Sequence, residues 1–440
     1  MRKSSLENHY RSVPSTKTSR LLRLGGLTAT VATNIMISAS INLIQGKSPQ
    51  IQTQLTKEKN ISKFVKELAL MRGAALKVGQ LLSLDSGKML PSSISDSLAN
   101  LRNQAYRMPS NQLKVVLEQS WGKNFQNKFK YFDINPIAAA SIGQVHKCET
   151  IDGKTLAVKV QYPGVKKSIN SDIKNIGFLL SKSGLVPSTV DLPQLLKLGQ
   201  AQLHDETDYL LEARTLNHFS ELLKTETYLT IPKVYDELTT ENTLAMEFKE
   251  GTTIEKTEHL SFETRNRIIE RLVALVLKEL FELRIMQTDP NYANFLFDEP
   301  SQKVILLDFG ATTKISQETK SRFLSLLQST KRGNKEEIKQ SLVEIGLLQN
   351  TIPDTLMIKV LEIFDEATKP IQSNLMYDFA NIKVIEKMRS ISNEFFKFRD
   401  TISIPDFEVL LIQRKIGGVF ILATRLKAKI DLNKILNKYL

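Results

Sequence analysis

Asp289 is followed five positions later by Asn294 and nineteen later by Asp308, which stands in Leu306-Leu307-Asp308-Phe309-Gly310 at the end of an apolar run. Residues 294–297 and 304–307 read as two short strands, with turn residues at 298–301 between them. Both carboxylates and the amide therefore flank one hairpin and converge at its mouth. A fold that accepts this pattern has to gather hard oxygen donors at one point, which is what a magnesium-bound phosphate requires. Asp-Phe-Gly by itself is a common turn tripeptide, so the constraint comes from the order and spacing of the whole set.

Upstream, Ala138 to Val145 reads AAASIGQV, and Lys159 follows fourteen residues later inside an Ala-Val-Lys-Val strand. Protein kinases cover the nucleotide phosphates with Gly-x-Gly-x-x-Gly-x-Val and reach the α- and β-phosphates with a strand lysine. Here Ala138 and Ala140 stand at the first two glycine positions, while Gly143 and Val145 keep theirs. A Cβ restricts the backbone geometry that glycine permits, so this loop is expected to hold nucleotide differently. The Asp289 to Asn294 spacing matches the catalytic-loop Asp and magnesium-binding Asn of kinases, and Asp308 matches their metal-binding Asp. A lysine in a closed cleft needs a carboxylate partner. Glu206, Asp208 and Glu212 are the candidates, and Glu206 and Glu212, six apart, cannot share one helix face.

The 440 residues are 41% hydrophobic and 24% charged, a globular composition. Cys148 is the single cysteine, which excludes an internal disulfide and a cysteine metal cluster. The net charge of +13 divides unevenly: residues 1–24 carry +5, residues 411–440 carry +6, and the 386 between them carry +2. Nucleic-acid binding needs a basic stripe on the folded body. Charge at the ends points to targeting or to anionic lipid. Residues 1–23 read as a basic targeting or flanking segment, and 24–46 is an uncharged run. That run is long enough to cross a bilayer, but its Thr, Ser and Asn content suits a buried or interfacial helix equally. Residues 61–84 predict an amphipathic helix with Met71, Ala75, Val78 and Leu82 on one stripe and Gly73, Lys77 and Gln80 opposite, a side that spacing alone assigns to solvent. Strands are expected at 156–162 and 243–248, helices around 195–224 and 262–284, and helix throughout 316–440.

Six segments together resemble one family. They are Lys77-Val78-Gly79-Gln80, the loop through His146, residues 157–165, 206–213, 287–295 and 306–311. The chain is identified on them as similar to the UbiB-type, aarF-domain atypical kinase-like proteins, over roughly residues 60–430, and in wording to their mitochondrial coenzyme Q branch. The resemblance implies an α+β, bilobal protein-kinase-like fold, with a helical K-x-G-Q extension at 50–130, an N-lobe at 131–250 and a mostly helical C-lobe at 251–440. It implies ATP and Mg²⁺ as cofactors. Lys77 and Gln80 would fold over the cleft, with Glu206 and Asp208 meeting their helix and Glu212 pairing with Lys159. Asp289 would be catalytic, and Asn294 and Asp308 would hold metal. Nucleotide contacts would come from Ala138, Ala139, Ala140, Ser141, Gly143, Val145, Met246 and Phe248. It further implies a matrix-facing protein of the mitochondrial inner membrane, supporting coenzyme Q biosynthesis beside other enzymes of that pathway, with lipids or quinone precursors as partners, a homodimer among its forms, and no nucleic acid. Gln287 departs from the kinase His-Arg-Asp triplet. After Gly310 no Ala-Pro-Glu follows and little room is left for a peptide-docking segment, which favours small or lipid-like acceptors or water. The alternative within the same residues is a nucleotide-gated, lipid-binding scaffold for the coenzyme Q enzymes.

Overall fold

A computed structural model describes residues 73, 74, 77, 78, 107–183, 191–289, 291–349, 351–381, 384, 386, 387 and 405–440. The basic stretch 1–23, the uncharged run 24–46, Gln80, Met71, Ala75, Leu82 and most of the remaining 50–106 segment lie outside these residues. Among the described residues no helix is long and apolar enough to cross a membrane.

Helix α1 (Ser110–Trp121) buries Leu113, Val116 and Leu117 at helical spacing. Strands β1 (Phe129–Phe132), β2 (Ala138–Ala139), β3 (Gly143–Thr150) and β4 (Thr155–Gln161) follow. Then come three helices, α2 (Val165–Ser183), α3 (Leu192–Glu206) and α4 (Tyr209–Leu222), and a short strand, β5 (Leu229–Thr230). Strand β6 (Thr243–Glu247) returns to complete an antiparallel sheet in the order β1-β3-β4-β6, with β2 paired to β3. Alternation along β4 divides the work of its two faces. Leu156, Val158 and Val160 join Leu113, Leu117 and Cys148 in one core, while Lys159 and Gln161, also buried, take the other face.

The helix expected around 195–224 is two helices. Asp208 restarts the chain as an N-cap, its Oδ1 accepting from the Leu211 amide at 2.9 Å. Glu206 thus ends α3 while Glu212 lies in the first turn of α4. Helix α4 buries Tyr209, Glu212, Ala213, Leu216 and Phe219 on one stripe, so a carboxylate sits where an apolar residue would be expected.

Beyond β7 (Thr252–Thr253), helix α5 (Phe262–Lys278) is capped by Ser261 and passes into a π-helical turn at Glu279–Leu283. Strand β8 (Ile285–Gln287) leads to the hairpin of β9 (Phe295–Asp298) and β10 (Lys303–Leu306), and β11 (Thr312–Lys314) pairs back onto β8. Helices α6 (Gln317–Arg332), α7 (Lys335–Ile345) and α8 (Asp354–Gln372) follow, then α9 (Phe407–Arg425) and α10 (Leu432–Leu436). The stretch 316–440 is not helical throughout. Strands β12 (Tyr377–Asp378) and β13 (Lys429–Ile430) pair across it, entered through Asn374 and Lys427 at positive φ, and bury Tyr377 and Ile430.

Gly143 is required for space rather than for a special φ, since it is not among the residues at positive φ. A Cβ there would stand 2.4 Å from the Val160 carbonyl oxygen and 2.8 Å from the Tyr209 hydroxyl. Gly143→Ala is expected to cost about 1–3 kcal/mol, measured by urea denaturation. An unchanged midpoint would show that β3 and β4 part without penalty.

Candidate functional site

Lys159 points from β4 into the space between the β-rich and helical lobes. Its Nζ donates to Glu212 Oε1 at 2.5 Å and to Asp308 Oδ2 at 2.8 Å. The three residues come from a strand, a helix and a loop separated by 149 positions at most. Burial works against the ammonium, yet Asp308 and Glu212 outweigh it and hold Lys159 above the ordinary lysine range. Burial raises the Glu212 carboxyl to about 7, with Lys159 pulling the other way. Burial acts likewise on Asp308, but the ammonium and the Gly310 amide, 2.9 Å from its Oδ1, hold it below the usual carboxylate range. One cation cannot fully neutralise two acids, and it is the more enclosed Glu212 whose carboxyl is raised.

The Asp308 loop is held from below and from the side. Phe309 is buried against Phe219 of α4, ring centroids 4.5 Å apart. Leu307 N donates to the Asn294 carbonyl at 2.9 Å, one step beyond the Phe295–Leu306 pair, which brings Asn294 and Asp308 to the same end of the β9–β10 hairpin. Thr288 N donates to Ala311 O at 2.8 Å, tying the residue before Asp289 to the one after Gly310. Asn294 Nδ2 donates to Asp289 Oδ2 at 2.9 Å. The amide oxygen of Asn294 and the carboxylate oxygens of Asp308, at the same end of the hairpin, are hard donors of the kind a magnesium ion takes.

The helical residues around Gly73 close the other side. A Cβ on Gly73 would lie 2.9 Å from Ile142 and 3.1 Å from the Ser141 carbonyl, so that helix rests directly on the alanine-rich loop. Lys77 is buried and ion-paired with Glu206, whose second oxygen accepts from Ser141 Oγ at 3.4 Å. The solvent-facing assignment that spacing gave Gly73 and Lys77 is therefore wrong: Gly73 lies against Ile142 and Ser141, and Lys77 against Glu206. The side chain of Asp208 caps α4 through its Oδ1. In the loop, Ala138 and Ala139 are exposed and pair with Val145 and Gln144, and Ala140 N donates to Gly143 O at 2.8 Å. None of the three alanines is at positive φ, which is why a Cβ is accepted at these positions. Met246 is buried opposite Ala157, on the core that extends below Lys159. Phe248 is half-buried, with the Lys147 ammonium 4.2 Å from its ring centroid.

Sequence reasoning missed Arg414, whose guanidinium donates to Asp289 Oδ1 at 3.2 Å. Its neighbour Lys415 is buried with Glu279, and burial lowers the lysine and raises the glutamate to about 7. The signal was there: two adjacent cations interrupt an otherwise apolar helix, LLIQRKIGGVF. Assigning the C-terminal positive charge to targeting or lipid is corrected for these two, because they serve the interior. Arg425 pairs at the surface with Glu255 and Glu258.

Residues 100–342 match the family model described as the ABC1 atypical kinase-like domain. The chain is 34% identical over 428 residues to "Atypical kinase COQ8, mitochondrial" of Saccharomyces cerevisiae, covering 96% of this chain and 85% of that protein. It is 33% identical to "Atypical kinase COQ8B, mitochondrial" of Rattus norvegicus, covering 96% of this chain and 80% of that one. Among solved structures, Rv3197 of Mycobacterium tuberculosis in its erythromycin complex superposes with a TM-score of 0.61 at 21% identity, covering 89% of this chain and 98% of that one, a likeness of fold.

Unfolded, Glu212 titrates near 4.5, and folded at about 7. The folded chain binds this proton more tightly, so the contribution of Glu212 to stability is full below pH 4.5 and is lost as pH rises to about 7. Denaturation midpoints are therefore expected to shift against the wild type, relative to Glu212→Gln, across that window and to run parallel above it. Parallel curves throughout would refute the raised carboxyl.

Proposed function

We propose that this chain, which belongs to the ABC1 atypical kinase-like family, is a Mg·ATP-dependent phosphotransferase or ATPase that supports coenzyme Q biosynthesis on the matrix side of the mitochondrial inner membrane. The observation that carries the reading is the Lys159 ammonium held between Glu212 and Asp308, beside a hairpin end that presents Asn294 and Asp289. Relatives named as mitochondrial atypical kinases support the compartment and the chemistry.

In this reading Lys159 orients the α- and β-phosphates while Glu212 fixes the lysine. Asn294 and Asp308 would hold magnesium, which when bound neutralises charge building on the transferred phosphoryl group. Asp289 receives the proton of the attacking oxygen, its carboxylate aimed by Asn294 Nδ2 and Arg414. Backbone from Ala138 to Val145 covers the phosphates, and Met246 and Phe248 flank the base. Lys77 closes the cleft through its ion pair with Glu206. A small or lipid-like acceptor, or water, fits better than a protein, because only residues 311–316 separate Gly310 from α6 and three of them are spent on β11. One observation favours the scaffold alternative. Arg414 already neutralises Asp289, as would suit a protein that binds nucleotide more than it turns it over.

Asp308→Asn is expected to lower magnesium-dependent ATP turnover at least a hundredfold, about 2.7 kcal/mol of barrier, and to deplete coenzyme Q in cells that depend on this chain. Turnover near the wild-type level would discredit the metal role. Ala140→Gly is expected to change nucleotide affinity and to allow self-phosphorylation, because the backbone regains close approach to the phosphates. Titration with ATP and intact-mass measurement read both effects, and no change in either would remove the loop from the account.

A further inference from the structure

Behind the loop that carries Asp289 lies an ion pair for which the reading above has no use. Lys415 of α9 and Glu279, first residue of the π-helical turn, are 2% and 1% exposed. Lys415 Nζ is 3.7 Å from the Glu279 carboxylate but donates to Gln287 Oε1 at 2.6 Å. Gln287 passes the contact on. Its backbone N–H donates to Glu279 Oε1 at 3.3 Å, and its Nε2 donates to the Asp289 carbonyl oxygen at 2.9 Å. The same ammonium sits 5.0 Å from the ring centroid of Phe295, the residue after Asn294.

Burying two charges costs several kcal/mol per ion and is repaid only by close pairing. A pair kept for stability would close to the ~2.7–2.9 Å of a charge-assisted bond. Here the short bond goes to a neutral amide instead, and Glu279 Oε2 is left without a hydrogen-bond donor. The cation is aimed at Gln287, and Gln287 grips the backbone of Asp289. Thr288, between them, sends its hydroxyl to Ala311 O at 3.1 Å, so it fastens the catalytic loop to the Asp308 loop. In protein kinases, phosphorylation of an activation segment controls whether the strand-lysine ion pair and the metal-binding Asp are in place. No such segment separates β11 from α6 here.

We propose that Lys415 is a positioning residue: acting through Gln287, with Glu279 as its counter-charge, it holds the Asp289 loop in its working geometry as a permanent internal cation rather than a phosphorylation-controlled one. The proposal rests on the reading of Asp289 as the group beside the attacking oxygen. Its geometry predicts an effect on turnover and none on nucleotide affinity, since the Lys159 side of the cleft is untouched.

The test uses the full chain and measures ATP turnover, ATP affinity and melting temperature in each variant. Lys415→Met combined with Glu279→Gln removes both charges together, and Gln287→Glu keeps a partner for Lys415 but deletes the N–H aimed at the Asp289 carbonyl. Both are expected to melt near the wild type, to bind ATP as the wild type does, and to turn it over roughly tenfold to a hundredfold more slowly. Wild-type turnover in either folded variant, or a loss that merely tracks the folded fraction, overturns the proposal. Should the double variant not fold, Gln287→Glu decides between the same two results. Asp289→Asn is run alongside, and full turnover there overturns the reading of Asp289 instead.

Discussion

An ammonium group taken out of water and set between two carboxylates is the interaction on which the rest of this site depends. Lys159 reaches that position only because β4 is buried on both faces, and Glu212 meets it only because α4 starts afresh at Asp208. Glu212 occupies the stripe that Leu216 and Phe219 use to pack, so the helix cannot seat its apolar face without delivering the acid. Asp308 is delivered in turn by Phe309, which locks into the same helix against Phe219. The charges are thus placed by hydrophobic packing, and their mutual attraction offsets a desolvation penalty that none of them would sustain alone.

Two cations on consecutive residues of α9 approach the site from the opposite side. Arg414 meets the Asp289 carboxylate and Lys415 reaches its backbone by way of Gln287. A kinase that carries an activation segment has somewhere to install a removable charge. This chain passes from Gly310 to α6 in six residues, and its charges at this place belong to the fold. The same economy of chain, together with Gly73 lying on Ser141 and Ile142, is what the proposed preference for an acceptor smaller than a polypeptide rests on.

Local patterns in the sequence were enough for much of this. Short β-rich runs exposed β4 and β6, turn residues exposed the β9–β10 hairpin, and the five- and nineteen-residue spacings brought Asp289, Asn294 and Asp308 together near its end, because hydrogen-bond register leaves little freedom within a hairpin. The break at Asp208 was missed because a capping aspartate inside an apolar periodicity looks like one more helical residue. The strands β12 and β13 were missed because a two-residue ladder has no period to detect. What the sequence by itself determined, then, was the identity and order of the chemical groups. That Glu212 pairs with Lys159 and that Lys77 faces inward came from the family resemblance and from no local pattern; the tertiary structure decided both, and it alone showed that Arg414 and Lys415 reach the Asp289 loop. Those outcomes depend on contacts between residues 53 to 149 positions apart, where the desolvation of a charge is set by whatever packs around it and no local pattern carries that information.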